Sequence, residues 1–134
     1  MNSLLKDAST LTESYMKRMK FVCRIQADEK YVDYNLENNL KGIYVFYTID
    51  ENKKVVYLGE TTSCLKSRIR SHKRSLRDPT WKTEVTGRKF DKYNVDRMQE
   101  FDVYFMQYEE EIAKYDSRTL EGLFKIVLNP IVFG

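Results

Sequence analysis

A chain of 134 residues, 42% of them hydrophobic, has the size of one domain around one core, and no second domain is expected. The formal net charge of +3 is mild but uneven: residues 66 to 97 hold eleven Lys or Arg against four acids, which points to a polyanionic partner, the plainer reading being a solvated helix and loop. Two cysteines and one histidine exclude a disulfide framework and a Cys/His zinc site; with no membrane-span-length apolar stretch and no secretion-signal run in residues 1 to 22, the expectation is a soluble, cytoplasmic protein with no membrane partner.

In chain order, Leu4, Ala8, Leu11, Tyr15, Met19 and Val22 are spaced as the stripe of an amphipathic helix that packs on a sheet. Thr10-x-x-Glu13 has the form of a capping box, so the helix begins there or breaks into two. Gln26 to Leu40 has no clear period and reads as irregular with room for a short strand. Gly42 to Ile49 is a β-branched and aromatic run, Asp50 to Lys53 is turn chemistry, and Lys54 to Leu58 is a second short strand, which together make an antiparallel hairpin. Gly59 reads as the break where the chain swings into a helix.

That helix runs from about Thr62 to Arg77. Leu65, Ile69 and Leu76 share a face with Arg68 and His72, which stand one turn apart, while Lys66, Arg70, Lys73 and Arg77 form an opposite basic stripe. An arginine beside a buried face needs an anion, a carboxylate or a phosphate. A nucleophile pair of Cys64 and His72 fails, because eight helical residues separate them by roughly 12 Å. Asp78-Pro79 ends the helix. Residues 79 to 99 interleave Trp81, Phe90 and Tyr93 with Lys82, Arg88, Lys89 and Lys92, either as a nucleic-acid-recognition insertion or as a loop whose aromatics anchor it to the core; a short helix over Lys89 to Gln99 fits there. Glu100 to Tyr108 alternates as a third strand. Asp116 or Ser117 then caps a last helix with Leu120, Leu123, Phe124 and Val127 as its core face, Glu121 at the edge, and Asn129-Pro130 at its end.

The ordered set Gly42-Ile43-Tyr44, Tyr57-Leu58-Gly59 and Leu65-x-x-Arg68-Ile69-x-x-His72 resembles the GIY-YIG nuclease family over about residues 40 to 130. Leu58 stands where the family has Ile, and one extra residue lies between Gly59 and Leu65. The resemblance implies an α/β domain of the α+β kind, with a three-stranded, mainly antiparallel sheet flanked by helices; residues 1–40 form an N-terminal helical extension and 41–130 the catalytic core. It further implies a metal-dependent DNA endonuclease of the small phage or restriction type. In that family a glutamate in the C-terminal helix is the metal ligand, which maps to Glu121. A supporting asparagine about a dozen residues further on maps to Phe133, so Asn129 either takes a related role or the support is missing.

Phosphodiester hydrolysis needs a water to attack phosphorus, charge on the non-bridging oxygens to be offset, and a 3′ oxygen to leave. The resemblance assigns Mg²⁺ (or Mn²⁺) to Glu121, the scissile phosphate to Arg68, and orientation and deprotonation of the water to Tyr44, Tyr57 and His72. An imidazole, ordinarily near pKa 6.5, is better matched as base than a phenol near 10. A lone carboxylate speaks against a two-metal site. Lys66, Arg70, Lys73, Arg74, Arg77, Lys82, Arg88 and Lys89 are the expected DNA contacts. Target choice then falls to residues 1 to 40, to the insertion, or to self-association as a homo-oligomer. A DNA-binding module of the same fold without hydrolysis is the alternative, and a plain interaction domain facing an acidic protein a third.

Overall fold

The structure, a computed structural model, describes residues 2–26, 42–61, 64–78, 86–107 and 117–132, with the backbone alone described at 2–6, 8, 107 and 117–120. Its elements are α1 (Asn2–Arg18), β1 (Lys20–Ile25), β2 (Gly42–Thr48), β3 (Val55–Thr61), α2 (Leu65–Arg77), α3 (Thr86–Lys92), β4 (Phe101–Gln107) and α4 (Ser117–Leu128). The class is α+β. The sheet has four strands in the order β1-β4-β2-β3, every neighbouring pair antiparallel, where three strands are expected from sequence.

The added strand is β1. Val22 stands in phase with the helical stripe of α1, which hides the change of period; α1 ends at Arg18, and Lys20 to Ile25 pairs with β4, the buried Cys23 and Ile25 alternating with the exposed Arg24. Arg24 and Asp102 pair across these two strands at 2.8 Å. α1 runs unbroken through Thr10 to Glu13.

The hairpin of β2 and β3 forms with Gly42 opposite Thr61 and Tyr44 opposite Gly59. Its turn is closed by the Thr48 N–H donating to the Lys54 carbonyl at 2.9 Å and the Lys53 N–H donating to Asp50 Oδ1 at 3.0 Å, with Lys53 at φ 43. β3 does not break at Gly59 but continues to Thr61. Its outer edge is met by the chain after α4, where the Ile131 and Val132 N–H groups donate to the carbonyls of Val55 and Val56.

Side-chain alternation along β2 divides the core between two faces. Tyr44 and Phe46 point to one face, where Leu65, Ile69 and Leu76 of α2, Phe90 of α3, and Phe101 and Val103 of β4 are buried. Ile43 and Val45 point to the other, with Leu58, Met106, Tyr15 of α1 and Phe124 of α4; the rings of Tyr15 and Phe124 lie 5.0 Å apart. Burial of each such large side chain contributes about 1.5–3 kcal/mol, so helices on both faces fix the sheet from two sides. α2 and α3 are therefore the elements laid over Tyr44. α3, at Thr86–Lys92, begins earlier than the helix expected over Lys89 to Gln99, and Phe90 is its core anchor.

Candidate active site

The site grows from Tyr44. It sits at the middle of the pairing between β2 and β3, fully buried, and its phenol lies across Gly59, where a Cβ on residue 59 would collide with the phenol oxygen and Cζ. Gly59 is required for this close approach of a side chain, rather than for a turn out of the strand.

α2 supplies the next two groups from one turn of helix. His72 is buried, and its Nε2 stands 2.5 Å from the Tyr44 phenol oxygen; Nδ1 faces the Thr86 hydroxyl at 2.7 Å. Arg68 is exposed rather than part of the buried face, because the apolar stripe of Leu65, Ile69 and Leu76 turns it to the margin, yet its Nε donates to the Tyr44 phenol oxygen at 3.4 Å. Tyr57, 8% exposed, sets its ring edge-on to His72 with centroids 5.2 Å apart and lies 6.4 Å from the Tyr44 ring. Phe46 also packs edge-on to His72, at 5.8 Å, and lies beside Tyr57 with ring centroids 5.6 Å apart. The imidazole is thus walled by rings, and its two nitrogens are engaged by hydroxyls on opposite sides.

Electrostatics draw the fourth element in. Burial pushes the Tyr44 phenol well above its ordinary value, Tyr57 adds to the rise, the Arg68 guanidinium opposes it, and Glu121 adds a smaller upward push. Glu121 stands on α4, which packs against β3, and its influence on the Tyr44 phenol is the smallest of these. Its carboxylate pairs with Lys125 one turn on at 2.7 Å. Among the described residues no three His, Cys, Asp or Glu side chains converge. Within the described residues Glu121 therefore offers a cation a single carboxylate, the donor type that Mg²⁺ takes with waters.

Asn129 is not brought to this cluster by any contact. It is exposed at φ 47, its N–H donating to the Lys125 carbonyl at 2.9 Å, which makes it the left-handed cap of α4 in the place where Gly is commonest.

The expected basic stripe is split. Arg70, Arg74 and Arg88 are exposed, and Lys66 and Lys89 are partly so. Lys73 is only 3% exposed, so it does not stand on the outer stripe. Arg77 is turned inward, its guanidinium donating to the backbone carbonyls of Arg97 and Gln99, the latter at 2.7 Å; burial lowers its pKa. Lys82 and Trp81 lie outside the described residues. Of the aromatics in the insertion, Phe90 is core, whereas Tyr93 is exposed with Lys92 Nζ 6.0 Å from its ring. Both cysteines are without a disulfide, Cys64 standing at the N-cap position of α2.

The residue that sequence reasoning missed is Thr86. It is 14 residues from His72 in a connection without periodicity, and no spacing signal could have paired them.

Compared with known protein families, with curated proteins and with solved structures, the chain matches none of them.

Proposed function

We propose that this protein is a Mg²⁺-dependent DNA endonuclease that hydrolyses phosphodiester bonds through a GIY-YIG-type site. The observation that carries the reading is the convergence on one phenol of His72 Nε2 at 2.5 Å and Arg68 Nε at 3.4 Å. A guanidinium at the solvent margin beside a buried acid–base pair is what a phosphate ester needs at its scissile group.

In this mechanism Arg68 holds the scissile phosphate and offsets the charge that develops on its oxygens. Tyr44 accepts a hydrogen bond from Arg68 and orients the attacking water. Because burial keeps the phenol protonated, Tyr44 can take a proton from the water only as it gives its own to His72 Nε2. The water oxygen bonds to phosphorus, the bond to the 3′ oxygen breaks, and that oxygen takes its proton from solvent. Tyr57 and Phe46 keep the imidazole in place and dry. Glu121 would hold the cation, which supplies Lewis-acid polarisation of the phosphate. The exposed Arg70, Arg74 and Arg88 carry the duplex backbone.

The second reading, a DNA-binding module of the same fold without hydrolysis, is favoured by Asn129 serving as a helix cap instead of a site residue. Incubation of the protein with supercoiled plasmid, with and without Mg²⁺, separates them. Nicked or linear product that needs the metal is the expected result; a mobility shift without cutting selects the binding module.

A further inference from the structure

We propose that Thr86 is a positioning residue that fixes the tautomer of His72, its hydroxyl oxygen accepting the Nδ1–H so that the Nε2 lone pair faces the Tyr44 phenol. The inference rests on the nuclease reading for its catalytic meaning, but its structural content stands on geometry alone.

A neutral imidazole has one donor nitrogen and one acceptor nitrogen, and the group bonded to one decides the state of the other. Here both nitrogens face hydroxyls, Thr86 Oγ1 at 2.7 Å from Nδ1 and Tyr44 at 2.5 Å from Nε2, and both hydroxyls are buried. The two hydroxyls differ in what else they touch. The phenol oxygen already accepts from Arg68 Nε, and among the described residues its own proton has one acceptor in reach, which is His72 Nε2. With that bond made, Nδ1 carries the hydrogen, and Thr86 Oγ1 is what lets it do so at no cost: with Thr86 accepting, every buried hydrogen of the set is paired, whereas without it one tautomer strands the Nδ1–H and the other strands the phenol hydrogen. Thr86 is itself held: it opens α3, which is tied to α2 by the Gly87 N–H donating to Ser75 Oγ at 2.8 Å, and Thr86 is 1% exposed. The hydroxyl is thus set by packing of two helices, so the imidazole needs no reorganisation when it takes the phenol proton. An imidazolium formed there keeps its Nδ1–H on Thr86.

The test uses the chain's single histidine, whose ring nitrogens give one unoverlapped set of ¹⁵N signals. At a pH where the ring is neutral, the wild type is expected to show a protonated Nδ1 and an unprotonated Nε2. Thr86→Val, which keeps the shape and removes the acceptor, is expected to lose that preference, and Thr86→Ser to restore it. In single-turnover cleavage Thr86→Val should lower the rate by about 10- to 100-fold with substrate affinity unchanged, the size usual for groups that orient a functional histidine. A wild-type ring protonated on Nε2, or a Thr86→Val ring with the wild-type tautomer, overturns the proposal. Should Thr86→Val not fold, Thr86→Ala removes the same acceptor with less bulk and is read in the same way. A wild type that cuts no DNA while its ring behaves as expected removes the nuclease reading and leaves the tautomer assignment standing.

Discussion

At the scale of residues, the 2.5 Å contact between Tyr44 and His72 is the feature with the sharpest consequences. Two groups that pass one proton act as a unit, so their losses should not add. His72→Ala is expected to lower the cleavage rate by about 10²- to 10⁴-fold, Tyr44→Phe to lower it as well, and the double variant to be little worse than the worse single one. Fully additive losses in log rate, measured in single-turnover assays, would show independent roles. Gly59 supports the same contact from beneath: Gly59→Ala places a methyl group against the Tyr44 phenol and should cost about 1–3 kcal/mol in thermal or denaturant unfolding, by the overpacking mechanism. Helical spacing put Arg68 and His72 on one face and strand pattern put Tyr44 on a hairpin, but it was the family resemblance, and no local period, that singled the three out as a site. Thr86 was not legible, since its link to His72 is a tertiary contact that leaves no trace in spacing. The role of Gly59 was half legible: the need for a missing Cβ was visible, whereas the phenol that fills the space was not.

At the scale of elements, α2 shows how far a helical wheel carries. The stripe Leu65, Ile69, Leu76 is buried as the 3.6-residue period dictates. The wheel assigned Lys66, Arg70, Lys73 and Arg77 to the solvent side, but α3 packs on α2, where Ser75 Oγ accepts from the Gly87 N–H, Lys73 is buried, and Arg77 donates to the backbone carbonyls of Arg97 and Gln99. This changes the binding prediction. Replacing Lys66, Arg70 and Arg74 with Gln should weaken binding to all sequences alike and flatten the log–log salt dependence by about 3 units, at roughly 0.9 per phosphate contact. Lys73→Gln and Arg77→Gln should leave that slope unchanged, and Arg77→Gln should lower stability by about 0.5–1.5 kcal/mol because half-buried carbonyls lose their donor. Equal slope changes from both groups, in binding titrations across salt, would contradict this division. The strand β1 was the largest element missed, for the reason that Phe21 to Ile25 follows a helix whose stripe runs into it without a Gly or Pro to mark the end.

At the scale of the whole molecule, a four-stranded antiparallel sheet carries helices on both faces, and no helix of the described residues is long and apolar enough to cross a membrane. The proposed site would join groups from both sides: Tyr44 and His72 belong to the α2 face, whereas Glu121 comes from α4, which packs with α1 and β3. Folding of the entire sheet would then be a condition for the proposed site. Buried phenols make that folding sensitive to alkali. Tyr47 is pushed up to about 12 by burial and by Tyr104, and Tyr44 is raised well above its ordinary value, chiefly by burial. The folded state keeps protons that the unfolded chain releases near pH 10, so stability is intact below about 10 and falls as pH rises from there toward 12. Melting temperatures between pH 9 and 11.5 should show this decline, and Tyr47→Phe should make it shallower.

The central claim, that Glu121 completes a hydrolytic site with Tyr44, Arg68 and His72, is tested most directly by comparing wild type with Glu121→Gln on a DNA duplex across a Mg²⁺ titration. The claim predicts cleavage by the wild type that saturates with Mg²⁺, and cleavage abolished in Glu121→Gln while DNA binding stays within a few-fold, because a lost ligand touches the transition state more than the backbone contacts. Near-wild-type cutting by Glu121→Gln, or no metal-dependent cutting by the wild type, would contradict it.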